Sequence, residues 1–155
     1  MLISLVHPSR GRPEKSMKTV SGDWLLNAHN PDNIELIVSV DIDDPELPGY
    51  RKEYEGFKNK FICSKNTSVV EATNKAAIES SGDILIYLSD DFKCFPNWDV
   101  LIEEQFEGVT EPMLLKVDDC LQLFNVPVLT IPIMNRALYN KLGYFWHPGY
   151  KSMFV

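Results

Sequence analysis

The stretch SVVEATNKAAIESSGDILIYLSDD, from Ser68 to Asp91, decides how the chain reads. Ser68 followed three residues later by Glu71 is a capping box, in which each side chain satisfies a backbone donor that the first helical turn leaves unpaired. Val69, Val70, Thr73, Ala76, Ala77 and Ser80 then recur with a helical period on one face, and Gly82 stops the helix. Asp83 to Leu88 follows as an apolar run of strand length that ends in Ser89-Asp90-Asp91. A capped helix running straight into an apolar strand is one crossover of a parallel sheet, whose inner strands are covered on both faces.

Upstream, Leu2 to Val6 reads as a short buried strand stopped by Pro8, with the loop Pro8-Ser9-Arg10-Gly11-Arg12-Pro13 behind it. Met17, Val20, Trp24, Leu25 and Ala28 step by three and four residues. They form the apolar face of one helix, which Gly22 weakens and Asn30-Pro31-Asp32-Asn33 ends. Ile34 to Val40 is a second buried strand entering the acidic loop Asp41-Ile42-Asp43-Asp44-Pro45-Glu46. Pro48 to Lys58 reads as a polar connection and Lys60 to Cys63 as a short strand. Downstream, Trp98 to Phe106 is an amphipathic helix, Met113 to Val117 and Val128 to Ile133 are strands, and Asn135 to Leu142 is a helix ended by Gly143. The alternation predicts right-handed crossovers in a single α/β domain over residues 1–155, with no repeat and no linker.

Composition narrows the partners. A chain of 155 residues that is 45% hydrophobic and 24% charged is long enough to bury an independent core. Its 15 Lys and Arg against 22 Asp and Glu leave a net charge of −7. That argues against a nucleic-acid or anionic-membrane binder, and any phosphorylated ligand must be held by a local device. Cys63, Cys94 and Cys120 are odd in number and widely spaced, which indicates neither a disulfide framework nor a zinc site. No basic leader precedes the first apolar run, and no run approaches the ~18 residues of a spanning helix, so a cytoplasmic protein without a transmembrane segment is expected. His7, His29 and His147 share no metal-ligand spacing and are expected to be structural or exposed.

In an open parallel sheet, ligands bind beyond the carboxyl ends of the strands, where loops and helix N-termini gather. Three such ends are chemically loaded: the basic Pro8–Arg12 loop, Asp41-Ile42-Asp43-Asp44, and Ser89-Asp90-Asp91. A basic loop facing two acidic ones suits a phosphate-bearing ligand bridged by a divalent cation, because carboxylate oxygens are the hard donors that Mg²⁺ or Mn²⁺ prefers. A nucleotide-diphosphate is the simplest such ligand. No Gly-x-Gly-x-x-Gly follows the first strand and no Gly-x-x-x-x-Gly-Lys occurs, which removes dinucleotide-binding and P-loop readings.

The run from Thr67 to Trp98, with Asn74 inside a helix, then SGDILIYLSDDF and Pro96-Asn97-Trp98, resembles the metal-binding segment of family 2-like glycosyltransferases with the GT-A fold. The first strand with its Pro8–Pro13 loop, and the second strand ending in Asp41, resemble that family's first two nucleotide-contacting loops. The resemblance implies a GT-A-like, mostly parallel sheet flanked by helices, with residues 1–98 as the nucleotide-binding half and 99–155 as the start of the acceptor half. It implies a nucleotide-diphosphate sugar donor contacted by Pro8, Ser9, Arg10, Arg12, Asp41, Asn74 and Asp90, and a divalent cation, Mn²⁺ or Mg²⁺, held by Asp91. Ser89 stands at the first position of the family's Asp-x-Asp motif, a departure that weakens the ribose or outer contact there.

The tail from Gly143 to Val155 resembles the stretch that leads into the family's catalytic carboxylate, yet no acid follows Asp119. The expectation is therefore a glycosyltransferase domain cut short, with no catalytic base identified, an unknown acceptor, weak donor binding and little or no turnover. The alternative is an inactive nucleotide-sugar-binding remnant. Phe145, Trp146, Tyr150 and Phe154 are expected to be uncovered in such a domain and to favour a homodimer through an apolar patch. A further enzyme reading is a phosphatase of the haloacid-dehalogenase type using Asp41 and Asp43. Pro45 stands where that motif wants Thr or Val, and the motif would belong on the first strand.

Overall fold

Residues 1–118 and 129–152 are described by a computed structural model. Among them, six strands form one sheet: β1 Ile3–Ser9, β2 Ile34–Asp41, β3 Lys60–Ser64, β4 Ile84–Tyr87, β5 Leu114–Lys116 and β6 Pro132–Asn135. The spatial order is β3-β2-β1-β4-β6-β5. The first four strands are parallel, and β6 turns antiparallel to β4 with β5 antiparallel on its outside. The fold is thus the expected mostly parallel α/β sheet, with an antiparallel edge.

The two faces are covered separately, because successive strand residues point to opposite sides. Ile3, Leu5, Leu36, Val38, Val40, Ile84 and Ile86 face one layer, where they meet Trp24, Tyr50, Tyr54, Trp98 and Phe106. These come from a π-helical turn Val20–Leu25 that continues α1 Pro13–Thr19, from α2 Leu47–Glu53 and the residue after it, and from α4 Trp98–Phe106. Val6, Ile37 and Leu85 face the other layer, where Ala76 and Ala77 of α3 Val69–Ile78 and the half-buried Leu138 and Tyr139 of α5 Arg136–Leu142 cover them.

Three expectations change. Pro48 to Lys58 is no plain connection: Leu47–Glu53 is a helix, with Pro48 in its first turn and Tyr50 and Tyr54 one turn apart, both buried in the core. The single helix expected from Met17 to Ala28 begins at Pro13 and widens into the π-helical turn after Thr19. The strand expected over Val128 to Ile133 runs from Pro132 to Asn135, Val128 itself lying outside the described residues. The cap of α3 also differs in detail. Ser68 Oγ accepts from Glu71 N at 3.1 Å, as a capping box requires, but Glu71 reaches back one residue further, to Thr67 N at 2.8 Å.

One close approach locks α3 to the sheet. Gly82 N donates to Ser4 Oγ at 2.8 Å, and a Cβ on Gly82 would lie 2.5 Å from that oxygen and 2.8 Å from the backbone of Leu2 and Ser4. Gly82→Ala is therefore expected to cost about 1–3 kcal/mol through forced backbone displacement, read as a lowered urea midpoint with unchanged slope.

Candidate functional site

The parallel register sets Ser9 of β1 beside Val40 of β2, and Asp41 beside Ser64 of β3, so the loops after these strands emerge along one edge. There they enclose a cleft of about 490 Å³, within the size range of small-ligand sites. Pro8, Ser9, Arg10, Arg12, Asp41 and Asp90 all line it, together with Asp43, Asn66 and the Thr67-Ser68 start of α3. Six of the eight residues implicated from sequence thus meet in one concavity.

Each is held by identifiable partners. Arg10 Nη1 donates to Asp41 and to Asp43 Oδ1, the latter at 2.7 Å, and Asn66 Nδ2 donates to the other oxygen of Asp41 at 2.6 Å. The Arg10 guanidinium holds the Asp43 carboxyl below the ordinary range. Arg10 is therefore drawn to the β2 loop. Arg12 pairs instead with Asp90, Nη2 to Oδ1 at 3.0 Å, and the Asp90 carboxylate is only 1% exposed. Its other oxygen accepts from Ser9 Oγ at 3.2 Å. Ser9 Oγ lies 2.6 Å from Tyr50 Oη, whose oxygen also accepts from Arg12 N at 3.0 Å. Tyr50 must then donate to Ser9, and Ser9 to Asp90, a directed chain that anchors the buried carboxylate. Asp44, from the same acidic loop, is buried and accepts from Gly11 N at 2.7 Å, which makes it a brace between the β1 and β2 loops.

The remaining two residues lie elsewhere. Asp91 is exposed and lines a neighbouring depression on the α1 side, so it borders the cleft from beyond Asp90. Ser89 Oγ donates to Asp91 Oδ1 at 2.5 Å, and that bond, with Lys15 and Arg12 nearby, holds the carboxyl below its ordinary value. Asn74 lines neither concavity. Its Oδ1 accepts from Phe145 N and Trp146 N at 3.0 and 2.8 Å and its Nδ2 donates to Trp146 O at 2.7 Å, clamping the C-terminal segment to α3.

That clamp corrects the expected apolar patch. Phe145 is 4% exposed and Trp146 is half-buried, its ring set edge-on to Tyr87. Tyr150 is exposed, and Phe154 lies outside the described residues. No helix among the described residues is long and apolar enough to cross a membrane.

A divalent cation was the second half of the sequence expectation. Among the described residues no three His, Cys, Asp or Glu side chains converge as a metal cage. Asp90 Oδ2 accepts from Ser9 and its Oδ1, which accepts no hydrogen bond, is ion-paired with Arg12, whereas Asp91 keeps one oxygen outside its bond to Ser89. Mg²⁺ and similar cations are commonly held by one or two carboxylates plus substrate phosphates and water. The donor set fits a cation that arrives with a diphosphate, and it does not fit a resident ion.

Beneath the site lies a polar core that sequence reasoning missed. His7 is fully buried; its Nδ1 faces Leu88 O at 2.8 Å and its Nε2 faces Ser16 Oγ at 2.7 Å. A carbonyl only accepts, so Nδ1 carries the proton, Ser16 donates to Nε2, and Tyr54 Oη donates to Ser16 over 2.7 Å. Burial lowers the His7 pKa below 6.5 and keeps the ring neutral in the fold. The unfolded chain takes up a proton near 6.5 that the folded chain refuses, so stability falls as pH drops below 6.5. The slope is at most about 1.4 kcal/mol per pH unit for one such group. Urea midpoints between pH 5 and 7 are expected to decline with acidification, and His7→Gln to flatten the decline.

No protein-family model and no curated protein matches the chain. Solved structures do. The S. aureus TarS 1-349 structure in complex with UDP is similar at a TM-score of 0.73 and 14% identity, over 98% of this chain and 52% of that one. A mannosyltransferase from Pyrobaculum calidifontis in complex with GDP-Man and Mn²⁺ gives a TM-score of 0.70 and 15% identity, over 93% and 47%. A cytidylyltransferase from Leptospira borgpetersenii gives 0.55 and 12%, over 94% and 64%. The α/β sheet is that of the GT-A fold shared by glycosyltransferases and nucleotidyltransferases. The chain spans about half the length of the glycosyltransferase structures it matches.

Proposed function

We propose that the chain binds a nucleotide-diphosphate sugar across its carboxyl edge and serves transfer of the sugar to an acceptor. The observation that carries this reading is the convergence of Pro8, Ser9, Arg10, Arg12, Asp41 and Asp90 on one cleft bordered by Asp91. Asp41, Asp43 and Asn66 offer acceptors and a donor to the base and ribose, and Arg10 fixes the two carboxylates. Arg12 and the N-terminus of α3, where backbone dipoles favour negative charge, face the phosphates. Asp91 is the residue that would hold Mn²⁺ or Mg²⁺ in company with the diphosphate, and such a cation would supply charge neutralisation for a nucleoside diphosphate leaving group. The chain's own contribution is to bind, orient and partly desolvate the donor.

Arg10 weighs against the phosphatase reading. It engages both Asp41 and Asp43, and a carboxylate bound to a guanidinium is a weakened nucleophile.

Calorimetric titration with UDP and GDP, with and without Mn²⁺, tests the proposal. Saturable binding that tightens about tenfold with Mn²⁺ is expected, a gain of roughly 1.4 kcal/mol. It should be accompanied by a raised melting temperature, since the ligand binds only the folded chain. A flat response to both nucleotides in either condition overturns the reading.

A further inference from the structure

The turn that carries Asp91 is tied down through its backbone. It leaves β4 and closes on one bond of its own, Phe92 N to Ser89 O at 3.2 Å. Backbone carbonyls outside regular structure are often left to water. Here alternate ones are taken by buried side chains: His7 Nδ1 donates to Leu88 O at 2.8 Å, Thr19 Oγ1 to Asp90 O at 2.7 Å and Trp24 Nε1 to Phe92 O at 3.3 Å.

The helix that supplies two of these donors has the shape needed to supply both. Thr19 and Trp24 are five residues apart, a spacing that in an α-helix sets side chains about 140° from each other. One of the two would then point away from the turn. The π-helical turn Val20–Leu25 begins directly after Thr19, and hydrogen bonds spanning five residues stack residues five apart on one face. The widening therefore turns Thr19 and Trp24 to the same side, against Asp90 and Phe92. Such turns are rare and occur frequently at functional sites. Ser16, one helical turn before Thr19, holds the third donor by bonding His7 Nε2.

We infer that Thr19 and Trp24, aligned by the π-helical turn, are positioning residues for the cation that accompanies the donor diphosphate. The role rests on the donor reading above, in which Asp91 is the chain's own ligand to that cation. A single protein carboxylate has no second one to correct its placement, so its backbone must set it. The hydrogen bonds of the Asp91 side chain are local, to Ser89 and its own backbone. The carbonyls on either side of it, Asp90 O and Phe92 O, are the two that Thr19 and Trp24 hold. Neither positioning residue lines the nucleotide cleft, and the Asp90 side chain that does is held separately by Ser9 and Arg12. Loosening the clamp thus acts on the metal contribution and spares the nucleotide contacts.

Calorimetric titration of UDP into the parent, Thr19→Val, Thr19→Ser and Trp24→Phe, each in Mn²⁺ and in chelator, tests the role. Valine keeps the shape of Thr19 and removes the donor, and serine keeps the donor. Thr19→Val is expected to bind UDP in chelator like the parent and to reduce the Mn²⁺ gain from about tenfold to about threefold or less, since a ligand displaced by about 0.5 Å loses productive geometry. Thr19→Ser should restore the gain and Trp24→Phe should reduce it, and the phenylalanine variant decides by itself if the valine variant does not fold. Equal weakening in Mn²⁺ and in chelator marks a merely structural role and overturns the inference, as does a full Mn²⁺ gain in the valine and phenylalanine variants or a serine that fails to rescue. A parent that binds UDP equally with and without Mn²⁺ overturns the inference and leaves the nucleotide cleft standing. A parent that binds no UDP in either condition overturns the donor reading and the positioning role with it.

Discussion

Asp91→Ala is expected to abolish the gain that Mn²⁺ gives to nucleotide binding, leaving a residual affinity equal to that of the metal-free protein. The side chain is exposed and its hydrogen bonds are local, to Ser89 two residues away and to its own backbone, so its loss removes almost no folding energy. The melting temperature of the free variant should therefore match the parent, and the nucleotide titration should lose about tenfold in Mn²⁺ and nothing in chelator. Asp91→Asn provides the second reading: the shape stays and the hard anionic oxygen is gone, so it should behave like the alanine. A Mn²⁺ effect that survives both substitutions would remove Asp91 from the site. Asp90 offers no equivalent test. Its carboxylate is buried between Arg12 and Ser9, and its removal would leave the buried Ser9 hydroxyl without its acceptor and release the half-exposed Arg12, mixing folding with binding.

Trp98→Ala is expected to give the largest loss of stability, about 3–5 kcal/mol, as for other buried aromatic truncations. The ring is 5% exposed and sits edge-on to Trp24 with centroids 4.9 Å apart. Its Nε1 donates to Trp24 O at 2.8 Å, so truncation opens a cavity and removes the partner of a buried carbonyl. A loss of that size is a large share of the 5–15 kcal/mol by which domains are stable. The pair also couples to the site, because Trp24 itself donates to Phe92 O in the turn that carries Asp91. Trp98→Phe keeps most of the buried area and should cost less than half as much. Urea unfolding of both variants checks the ranking, and equal losses would contradict the cavity account.

Much of the fold was legible because inner parallel strands are buried on both faces and read as unbroken apolar runs. Ile34–Asp41 and Ile84–Tyr87 stand out for this reason. α3 announced itself through Ser68 and Glu71, and α5 through Gly143, which adopts the left-handed conformation at φ 74°. α2 was hidden because its inward face is little more than Tyr50 and Tyr54, behind a Pro48-Gly49 pair that looks like a turn. The π-helical turn was hidden too, since its widened hydrogen bonding leaves no mark in a 3.6-residue periodicity.

At the site, local sequence determined which chemistry gathers at the carboxyl edge, because strand order alone brings the ends of β1, β2 and β4 together. Arg10, Arg12, Asp41 and Asp90 follow from that. What the three-dimensional packing decided is how those charges divide. Arg10 closes on Asp41 and Asp43, Arg12 on Asp90, and the adjacent Asp90 and Asp91 separate into one buried and one exposed carboxylate. Asn74, which looked like a ligand residue, is spent on the backbone of Phe145 and Trp146, 71 and 72 residues away. Likewise Thr19 and Trp24 tie the turn at Asp90 to Phe92 against α1. The chain specifies residue types and element ends by nearest-neighbour rules, while the pairing of charges depends on contacts between residues far apart in sequence, which exist only once the layers have closed.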